Sequence, residues 1–205
     1  MRGLIGKKIG MTRVFDSNGK AIPVTILEAG PCQVTQVKTV EKDGYDSVQV
    51  GFIEAKEKHL TRPLIGHFNK NALSPKRILA EFNKVPSFDY KAGQVFNVGL
   101  FKEGDYVTVS GKSKGHGFSG TVKKYSFSQQ RKTHGQGDTH RHVGSIGAAS
   151  YPSRVFPGKK MPSRYGNKKV SVKSLEIIKV DKNNNQLLIK GSIPGSTNSI
   201  VIISR

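Results

Sequence analysis

The sequence predicts a mainly β fold, a barrel or sandwich of short strands interrupted by a long, irregular basic extension. Two observations lead to this prediction. Short runs of β-branched and aromatic residues recur along the chain with turn residues between them, which is typical of antiparallel barrels and sandwiches. One internal window instead combines glycines and cations with few large apolar side chains, too few to offset the entropy of its own ordering. The rest of the 205-residue chain is long enough for one core.

Hairpins are predicted near the N-terminal end. The stretch MTRVFDSNGKAIPVTILEAG has two β-rich runs around an Asp-Ser-Asn-Gly turn, and CQVTQVKTVEKDGYDSVQVGFI repeats the pattern around Asp43-Gly44. At the other end, VSVKSLEIIKVDKNNNQLLIKGSIPGSTNSIVIISR predicts three short strands separated by Asn-rich and Pro-Gly turns.

One region has a helical pattern, KHLTRPLIGHFNKNALSPKRILAEFNK. Ser74-Pro75 predicts the start of a short helix through Ile78, Leu79 and Phe82. The predicted domain boundaries are 1–110 for the first part of the barrel domain, about 56–84 for an α-containing excursion within it, 111–169 for the basic extension and 170–205 for the final barrel strands.

The charge of the chain predicts a polyanionic partner. The sequence has 34 Lys and Arg against 14 Asp and Glu, a formal net charge of +20, and self-repulsion of this size favours a nucleic acid partner. From Lys112 to Lys169 there are thirteen cations and only Asp138 as an acid, so this window holds +12 of the +20. Loops longer than about 12–15 residues are uncommon in compact domains unless they are functional. We therefore expect this window to be the binding site, and to be mobile when RNA is absent.

Other partners and compartments are disfavoured. The sequence has no long amphipathic basic helix and no apolar run near the roughly 18 residues that a membrane span needs. The start MRGLIGKKIGMTRVF lacks the uninterrupted apolar core of a signal peptide, and Cys32 has no second cysteine for an internal disulfide. These features predict a cytoplasmic protein with no membrane partner.

The stretch GKSKGHGFSGTVKKYSF contains Gly115-x-Gly117-x-x-Gly120, the spacing of a dinucleotide-binding loop. That function requires a strand before the first glycine and a helix after the last. Tyr106 to Val109 alternates like a strand, but TVKKYSF after Gly120 also alternates with period two and predicts no helix. We therefore predict neither a nicotinamide enzyme nor a small-molecule substrate.

Two further site chemistries are weighed and set aside. His134, His140 and His142 could be zinc ligands, but Asp138 is the only carboxylate nearby and no cysteine is available. Ser145 and Thr133 lie near these histidines and could suggest a hydrolase, but neither is in a nucleophile elbow and no buried orienting acid is evident. We predict no cofactor, no metal and no catalysis.

RNA fits the basic window better than duplex DNA, because the sequence has no helix-turn-helix, basic zipper or zinc-finger pattern. Glycine lets the backbone approach phosphates closely, Lys and Arg neutralise them, and aromatic rings stack on unpaired bases. The candidate stacking rings are Tyr125, Phe127, His134, His140, His142, Tyr151 and Tyr165. For Tyr125 and Phe127 a core position is an equal alternative, and for Lys7 and Lys8 the alternative is a solvated charged face. His67 and Phe68 are interpreted as structural.

Seven segments in order match a known family: GLIGKKIGMTRVF, GHF, GKSKGHGFSGTVKKYSF, THG, GSIG, FPGKKMPSRYGN and LLIKGSIPG. Over essentially the whole chain, they resemble the bacterial form of the ribosomal protein L-three family. The resemblance implies a translation-protein-type β-barrel and an extension that threads between rRNA helices toward the peptidyl transferase centre. It also implies direct binding to large-subunit (23S) rRNA near its 3′ end, a part in nucleating assembly, and neighbouring large-subunit proteins as partners.

Charge and resemblance together predict the interface. The predicted rRNA-binding residues are Lys7, Lys8, Lys112, Lys114, Gly115, Lys123, Lys124, Tyr125, Arg131, Lys132, His134, His140, Arg141, His142, Arg154, Lys159, Lys160, Arg164, Lys168 and Lys169. The residues that the resemblance places nearest the peptidyl transferase centre are Gly144, Ser145, Ile146, Gly147, Ala148, Ala149, Ser150 and Tyr151.

This chain departs from the family pattern at two of these positions. Ser150 stands where many bacterial members have a glutamine that is methylated during assembly, so methylation is not among our predictions for this position. Tyr125 stands where relatives often have tryptophan, and tyrosine keeps a stacking face. The alternative function, a free RNA-binding chaperone or regulator, would leave the protein outside large subunits when a lysate is sedimented.

Overall fold

The computed structural model describes residues 3–86 and 88–205 of the chain. The strands in chain order are β1 (Gly3–Phe15), β2 (Ala21–Ala29), β3 (Cys32–Lys38), β4 (Ser47–Glu54), β5 (Lys76–Asn83), β6 (Val95–Phe96), β7 (Tyr106–Lys112), β8 (Phe118–Ser119), β9 (Ser163–Arg164), β10 (Lys169–Asp181), β11 (Gln186–Lys190) and β12 (Ile200–Ser204). The α-helices are α1 (Val40–Asp43), α2 (Arg62–Asn69) and α3 (Thr121–Tyr125), and short 3₁₀ turns occur at Glu57–His59 and Val98–Leu100.

The chain divides into two compact units. The first, which we call the β unit, runs up to Ser113 and resumes from Lys169 to Arg205. The second, which we call the basic unit, is Lys114–Lys168. In the described part of the chain, no helix is both long and apolar enough to cross a membrane.

A closed six-stranded barrel forms most of the β unit. Its strand order is β1-β12-β7-β10-β11-β2, and β2 pairs back onto β1 with every neighbour antiparallel. Alternate residues face inward, so β11 buries Leu187 and Ile189 while β12 buries Val201 and Ile203. Full burial of such side chains contributes roughly 1.5–3 kcal/mol each. The mainly β fold with a barrel is thereby confirmed.

The two predicted N-terminal hairpins both form, but only one belongs to the barrel. β1 and β2 pair from Gly6↔Ala29 to Phe15↔Ala21 around the predicted turn. β3 and β4 pair around α1 in a separate four-stranded sheet of order β5-β4-β3-β6. Buried residues of this sheet join the barrel residues in one hydrophobic core.

The helix predicted from Ser74-Pro75 through Phe82 is wrong. Residues Lys76–Asn83 form β5, which pairs with β4 at Gly51↔Leu79 and Val48↔Phe82. The apolar spacing fits a helix, but the free β4 edge satisfies the backbone of this segment and Phe82 is buried in the core. The helix of this region is α2, which begins with Pro in its first turn and buries Phe68.

Candidate nucleic-acid interface

A short antiparallel ladder joins the two ends of the basic unit. β8 and β9 pair at Phe118↔Arg164 and Ser119↔Ser163. Beyond them the backbone N–H of His116 donates to the Tyr165 carbonyl at 3.0 Å, and the N–H of Tyr165 donates to Gly117 at 2.9 Å. This ladder gives the basic unit an ordered base although it has few buried side chains.

Gly166 allows the two sides of this ladder to approach closely. Its backbone is left-handed, with φ +71°, and a Cβ atom at this position would overlap the carbonyl oxygen of Lys114. The N–H of the next residue, Asn167, donates to that same carbonyl at 3.3 Å. Because the obstructing atom belongs to the backbone, no side-chain movement could make room for a larger residue.

Tyr125 is surrounded by cations at the end of α3. The ammonium of Lys124 lies 5.0 Å from the centre of its ring and that of Lys160 lies 5.8 Å away. A hydrogen bond with Lys124 lowers the pKa of the Tyr125 hydroxyl, and Lys124 also donates to Ser163 on β9. Tyr125 and Phe127 are both half-buried, with ring centres 6.2 Å apart. They are therefore neither core residues nor freely exposed platforms.

Several aromatic rings of the basic unit are well exposed. Tyr151 is 90% exposed, Phe118 78% and Phe156 59%, and the Arg154 guanidinium lies 5.5 Å from the Phe156 ring centre. His116 and Tyr165 stack with ring centres 4.9 Å apart and an angle of 20° between planes. Exposed rings among cations are typical of surfaces that bind unpaired bases.

Three of these rings, His116, Phe118 and Phe156, were missed as stacking candidates by the sequence analysis. The signal that could have found them is the alternation of aromatic residues with cations inside the basic window. Phe118, for example, lies between Lys114 and Lys123, and Phe156 between Arg154 and Lys159. The same reasoning that selected Tyr165 applies to all three rings.

The predicted histidines lie in a polar loop. His140 is half-buried, and its Nδ1 lies 2.9 Å from the Arg131 carbonyl oxygen, whereas His134 and His142 are exposed. The side chain of Gln136 donates to Gln130 and also to Thr139, at 2.6 Å. Within residues 3–86 and 88–205, no three His, Cys, Asp or Glu side chains are grouped so that they could hold a metal ion.

The segment Gly144–Tyr151, predicted to lie nearest the peptidyl transferase centre, is exposed throughout. The Ser145 hydroxyl donates to the Gly147 carbonyl at 3.0 Å, and Ile146 is 43% exposed. Small side chains and glycines thus leave much of the backbone of this segment open to a ligand. At this surface Ser150 contributes a hydroxymethyl group instead of the side-chain amide of the family's glutamine.

The basic unit concentrates exposed positive charge. Its eleven Lys and Arg face only one acid, Asp138, which gives a net charge of +10. Ten of these cations are exposed and Lys124 is half-buried. The ion pairs Lys38–Glu81, Lys76–Glu54, Lys190–Glu176 and Arg205–Asp105 all lie in the β unit.

The remaining predicted cations belong to the β unit. Lys112 and Lys169 pair directly across β7 and β10, and both are exposed. Gly115, in contrast, lies in the basic unit, where a Cβ atom would come within 3.5 Å of Asn167. The register at Lys112 and Lys169 places two positive charges at the strand ends from which the chain enters and leaves the basic unit.

Lys7 and Lys8, adjacent in sequence, have different surroundings. Lys7 is half-buried, whereas Lys8 is only 8% exposed. The ammonium of Lys8 donates to the carbonyls of Ile193, at 2.8 Å, and Gly195, at 3.2 Å. Lys8 therefore stabilises the turn between β11 and β12, and its ammonium is bound within the protein.

The glycine motif that resembles a dinucleotide loop has a different context from the one expected. The strand-like reading of TVKKYSF is wrong, because Thr121–Tyr125 is a helix that closes with Ser126 in a left-handed conformation. This short helix is stabilised by local backbone hydrogen bonds, among them the bond from the Ser126 N–H to the Val122 carbonyl at 3.0 Å. The period-two alternation of the sequence does not reveal such bonds. β7, which precedes the motif, pairs antiparallel with β10, and β8, which lies within the motif, pairs antiparallel with β9. The motif is therefore not part of the parallel βαβ unit that dinucleotide binding requires.

Comparisons with known proteins identify the family of this chain. The family model described as Ribosomal protein L3 matches residues 78–186. A curated relative, large ribosomal subunit protein uL3 of Petrotoga mobilis, is 47% identical over 203 residues, which cover 99% of this chain and 94% of the relative. The chain belongs to the ribosomal protein L3 family, whose members are structural, non-enzymatic constituents of the large ribosomal subunit and act in the ribosome in the cytoplasm.

Proposed function

We propose that this chain binds large-subunit (23S) rRNA directly, and that the basic unit supplies most of the interface. The observation that carries the proposal is the charge of this unit, eleven cations against one acid, with ten of the cations exposed. These charges have almost no acidic partner inside their own unit, so they require an external polyanion. Residues 111–169, which include the flanking Lys112 and Lys169, form the proposed rRNA-binding extension.

The mechanism is neutralisation and stacking, with no chemical step. Each phosphate bound by Lys or Arg releases condensed counterions, which makes affinity strongly dependent on salt. Phosphate contacts set position without reading sequence, so specificity comes from rRNA shape and a few unpaired bases. The exposed rings of Phe118, Tyr151 and Phe156 are the surfaces we propose for those bases.

Membership of the family supports the finer parts of the proposal. We infer binding near the 3′ end of the 23S rRNA, a role in nucleating assembly, and a position of Gly144–Tyr151 toward the peptidyl transferase centre. Neighbouring large-subunit proteins are the other expected partners. A crosslinking map of the purified protein on large-subunit rRNA tests these placements together, since crosslinks from Gly144–Tyr151 to RNA outside that centre would contradict the last one.

The direct test neutralises Lys159, Lys160 and Arg164 together by substitution with alanine. If these residues bind three phosphates, the slope of log affinity against log salt becomes flatter by about 2–3, since each phosphate contributes about 0.7–0.9. The binding of purified full-length protein to large-subunit rRNA is measured between 50 and 200 mM salt.

A matched control removes three exposed lysines of the β unit instead. Lys173, Lys179 and Lys182 are all exposed on β10 or the turn after it, so their loss causes the same change in net charge. The control variant is expected to keep the slope of the unmodified protein. Equal slopes for all three proteins would remove Lys159, Lys160 and Arg164 from the interface.

A further inference from the structure

The hairpin of β1 and β2 extends beyond the barrel as a two-stranded arm, which we define as residues 11–15 and 21–23. β12 pairs with β1 only as far as Lys7, and β11 pairs with β2 only as far as Val24, whereas β1 and β2 remain paired as far as Phe15↔Ala21. Within residues 3–86 and 88–205, no third strand pairs with the arm. A two-stranded hairpin is at best marginally stable in water, so the arm gains stability when one of its sides is covered.

One side of the arm continues the core-facing side of the barrel wall. Leu27 and Ala29 on β2 are completely buried in the core, and alternate residues of a strand share one side. Counting from Leu27 toward the turn, every second residue of β2 and the residues paired opposite them on β1 lie on this side. The arm residues among them, which we call the arm face, are Met11, Arg13, Phe15, Ala21 and Pro23.

The arm face is mainly apolar and exposed. Phe15 is 62% exposed and Met11 is 54% exposed, and its other members are exposed as well. Its one charged residue is Arg13, whose guanidinium lies 5.8 Å from the centre of the Phe15 ring. The opposite side of the arm is better covered, since Val14 and Ile22 are half-buried. The arm face is therefore the side that the described part of the chain leaves largely open.

Charge separates this hairpin from the RNA-binding part of the chain. Residues 9–26 hold the cations Arg13 and Lys20 against the acid Asp16, a net +1, whereas the basic unit holds a net +10. Phosphates are bound by cations, and bases by ring faces or hydrogen-bonding groups, so the aliphatic side chains of the arm face suit neither. Its single aromatic ring, Phe15, already has the Arg13 guanidinium over it. A nearly neutral apolar face is complementary to a nearly neutral apolar segment of protein.

We infer that the arm face docks an apolar segment of low net charge on a neighbouring protein of the large ribosomal subunit. The family of this chain works inside that subunit, together with rRNA and other ribosomal proteins. Since the charge of the hairpin disfavours rRNA, another protein is the occupant that fits.

The size of the arm face argues against a second copy of this chain as the occupant. The face has two large apolar side chains, and full burial of the larger one removes only about 150–250 Å² from water. The whole face is thus smaller than the roughly 800 Å² that each partner buries in a stable complex. The contact therefore forms between proteins that rRNA already holds side by side, and the free protein stays monomeric.

Site-specific crosslinking in assembled large subunits tests the inference directly. Phe15 is replaced by a diazirine-bearing phenylalanine analogue in the full-length protein, and the same analogue at Phe156, an exposed ring of the basic unit, is the matched control. Large subunits are purified and irradiated, and mass spectrometry identifies what each position has attached. Position 15 is expected to attach a peptide of another large-subunit protein, whereas position 156 is expected to attach a ribonucleotide.

A double variant separates docking from folding and from RNA binding. Met11→Ser with Phe15→Ser removes both large apolar side chains of the arm face, and Val40→Ser with Val95→Ser is the control at two other exposed positions of the β unit. Because all four side chains are exposed, neither variant should lower the melting temperature of the free protein or change its affinity for large-subunit rRNA by more than about twofold. In competition with the unmodified protein during assembly of large subunits in cells, incorporation of the arm variant is expected to fall about fivefold, as for loss of a well-packed contact. The control variant is expected to be incorporated normally.

The inference rests on the proposed function, because it leaves the rRNA contacts to the basic unit, and the outcomes separate the two. Attachment of RNA or of a second copy of this chain to position 15, or no attachment there, would overturn the docking surface. Equal incorporation of the arm variant and its control would overturn it as well. If position 156 attaches no RNA and the Lys159, Lys160 and Arg164 variant binds rRNA normally, the proposed function fails instead, and the result at position 15 is judged by itself.

Discussion

The β unit and the basic unit use the same kinds of side chain in opposite ways. In the β unit, which has 23 Lys and Arg, five of them have these partners within the protein: Lys8 donates to two carbonyls, and Lys38, Lys76, Lys190 and Arg205 pair with carboxylates. At Lys38 the bond with Glu81 raises the lysine pKa and lowers that of the carboxylate. The basic unit has eleven cations and only Asp138. We therefore propose that its charges are balanced from outside the protein.

Apolar residues show the same division. Within the described part of the chain, every buried hydrophobic side chain lies in the β unit. The basic unit buries only Ser119 and Thr121, and leaves Phe118 and Tyr151 largely exposed. Burial therefore separates a unit with a hydrophobic core from one with almost no buried side chains, and we expect the order of the second unit to depend on a partner.

Limited proteolysis of the isolated protein is the strongest test of this division. Trypsin is expected to cut within Lys114–Lys168 at least about 100-fold faster than within the barrel, because local opening costs little where few side chains are buried. Cleavage sites and rates are measured by mass spectrometry, with and without large-subunit rRNA. Bound rRNA should protect the same sites. Equal resistance of both units in the free protein would contradict the comparison.

Substitution of one apolar residue in each unit tests whether the β unit, unlike the basic unit, depends on buried side chains for its stability. Leu27 is completely buried in the barrel, so Leu27→Ala is expected to lower the free energy of unfolding by about 2–5 kcal/mol. Phe156 is 59% exposed, so Phe156→Ala should change that free energy by less than about 0.5 kcal/mol. Urea denaturation followed by far-ultraviolet circular dichroism measures both.

When rRNA binding is measured instead of stability, the substitution in the basic unit should have the larger effect. Phe156→Ala is expected to weaken rRNA binding by about 1–3 kcal/mol, the usual contribution of one stacked base. Normal binding by this variant would show that Phe156 is an exposed ring with no base on it. Leu27→Ala, tested under conditions in which it is folded, should bind nearly as well as the unmodified protein.

Local features of the fold could be predicted from the sequence. The turn Asp16–Gly19 and the Asp43-Gly44 pair contain residues whose own conformational preferences define hairpins, and both hairpins form. The division of strands between barrel and second sheet could not be predicted, because it depends on pairing between distant segments such as β1 with β12. β5 was mistaken for a helix for the same reason: its partner β4 decides its structure.

Prediction of the candidate site from the sequence is limited in a similar way. A count of cations is enough to delimit the basic window, but it cannot distinguish Lys7 from Lys8. Burial of Lys8 depends on two carbonyls almost the whole chain length away, at Ile193 and Gly195.

Lys8→Met and Lys7→Met test whether the buried lysine contributes more to the stability of the barrel than its half-buried neighbour. Methionine keeps the apolar stem of lysine but not its charge. Lys8→Met leaves the carbonyls of Ile193 and Gly195 without their donor, so we expect a loss of about 1–3 kcal/mol in the free energy of unfolding. Lys7→Met, at a half-buried position, is expected to change it by less than about 0.5 kcal/mol. Equal thermal denaturation of the two variants would show that the ammonium of Lys8 contributes nothing to the barrel.

The smallest effect on the stability of the barrel is expected at the base of the basic unit. Gly166→Ala places a methyl group against the Lys114 carbonyl, so the ladder between residues 114–119 and 163–167 must open. Gly158→Ala is the control, because Gly158 has a similar left-handed backbone, with φ +82°, but open space around it. Both variants carry the strain of a left-handed alanine, roughly 1–2 kcal/mol, and only the first adds the overlap.

Amide hydrogen exchange distinguishes the two variants directly. Gly166→Ala is expected to speed exchange of the Tyr165 and Asn167 N–H groups, which donate across the ladder, and to weaken rRNA binding by about tenfold through the disordered base. Gly158→Ala should leave both exchange rates unchanged, and neither variant should move the thermal transition of the barrel. A lowered barrel transition in Gly166→Ala would mean that the two units are not energetically independent. The β unit and the basic unit would then unfold as one cooperative structure, and not as the two independent units that charge and burial indicate.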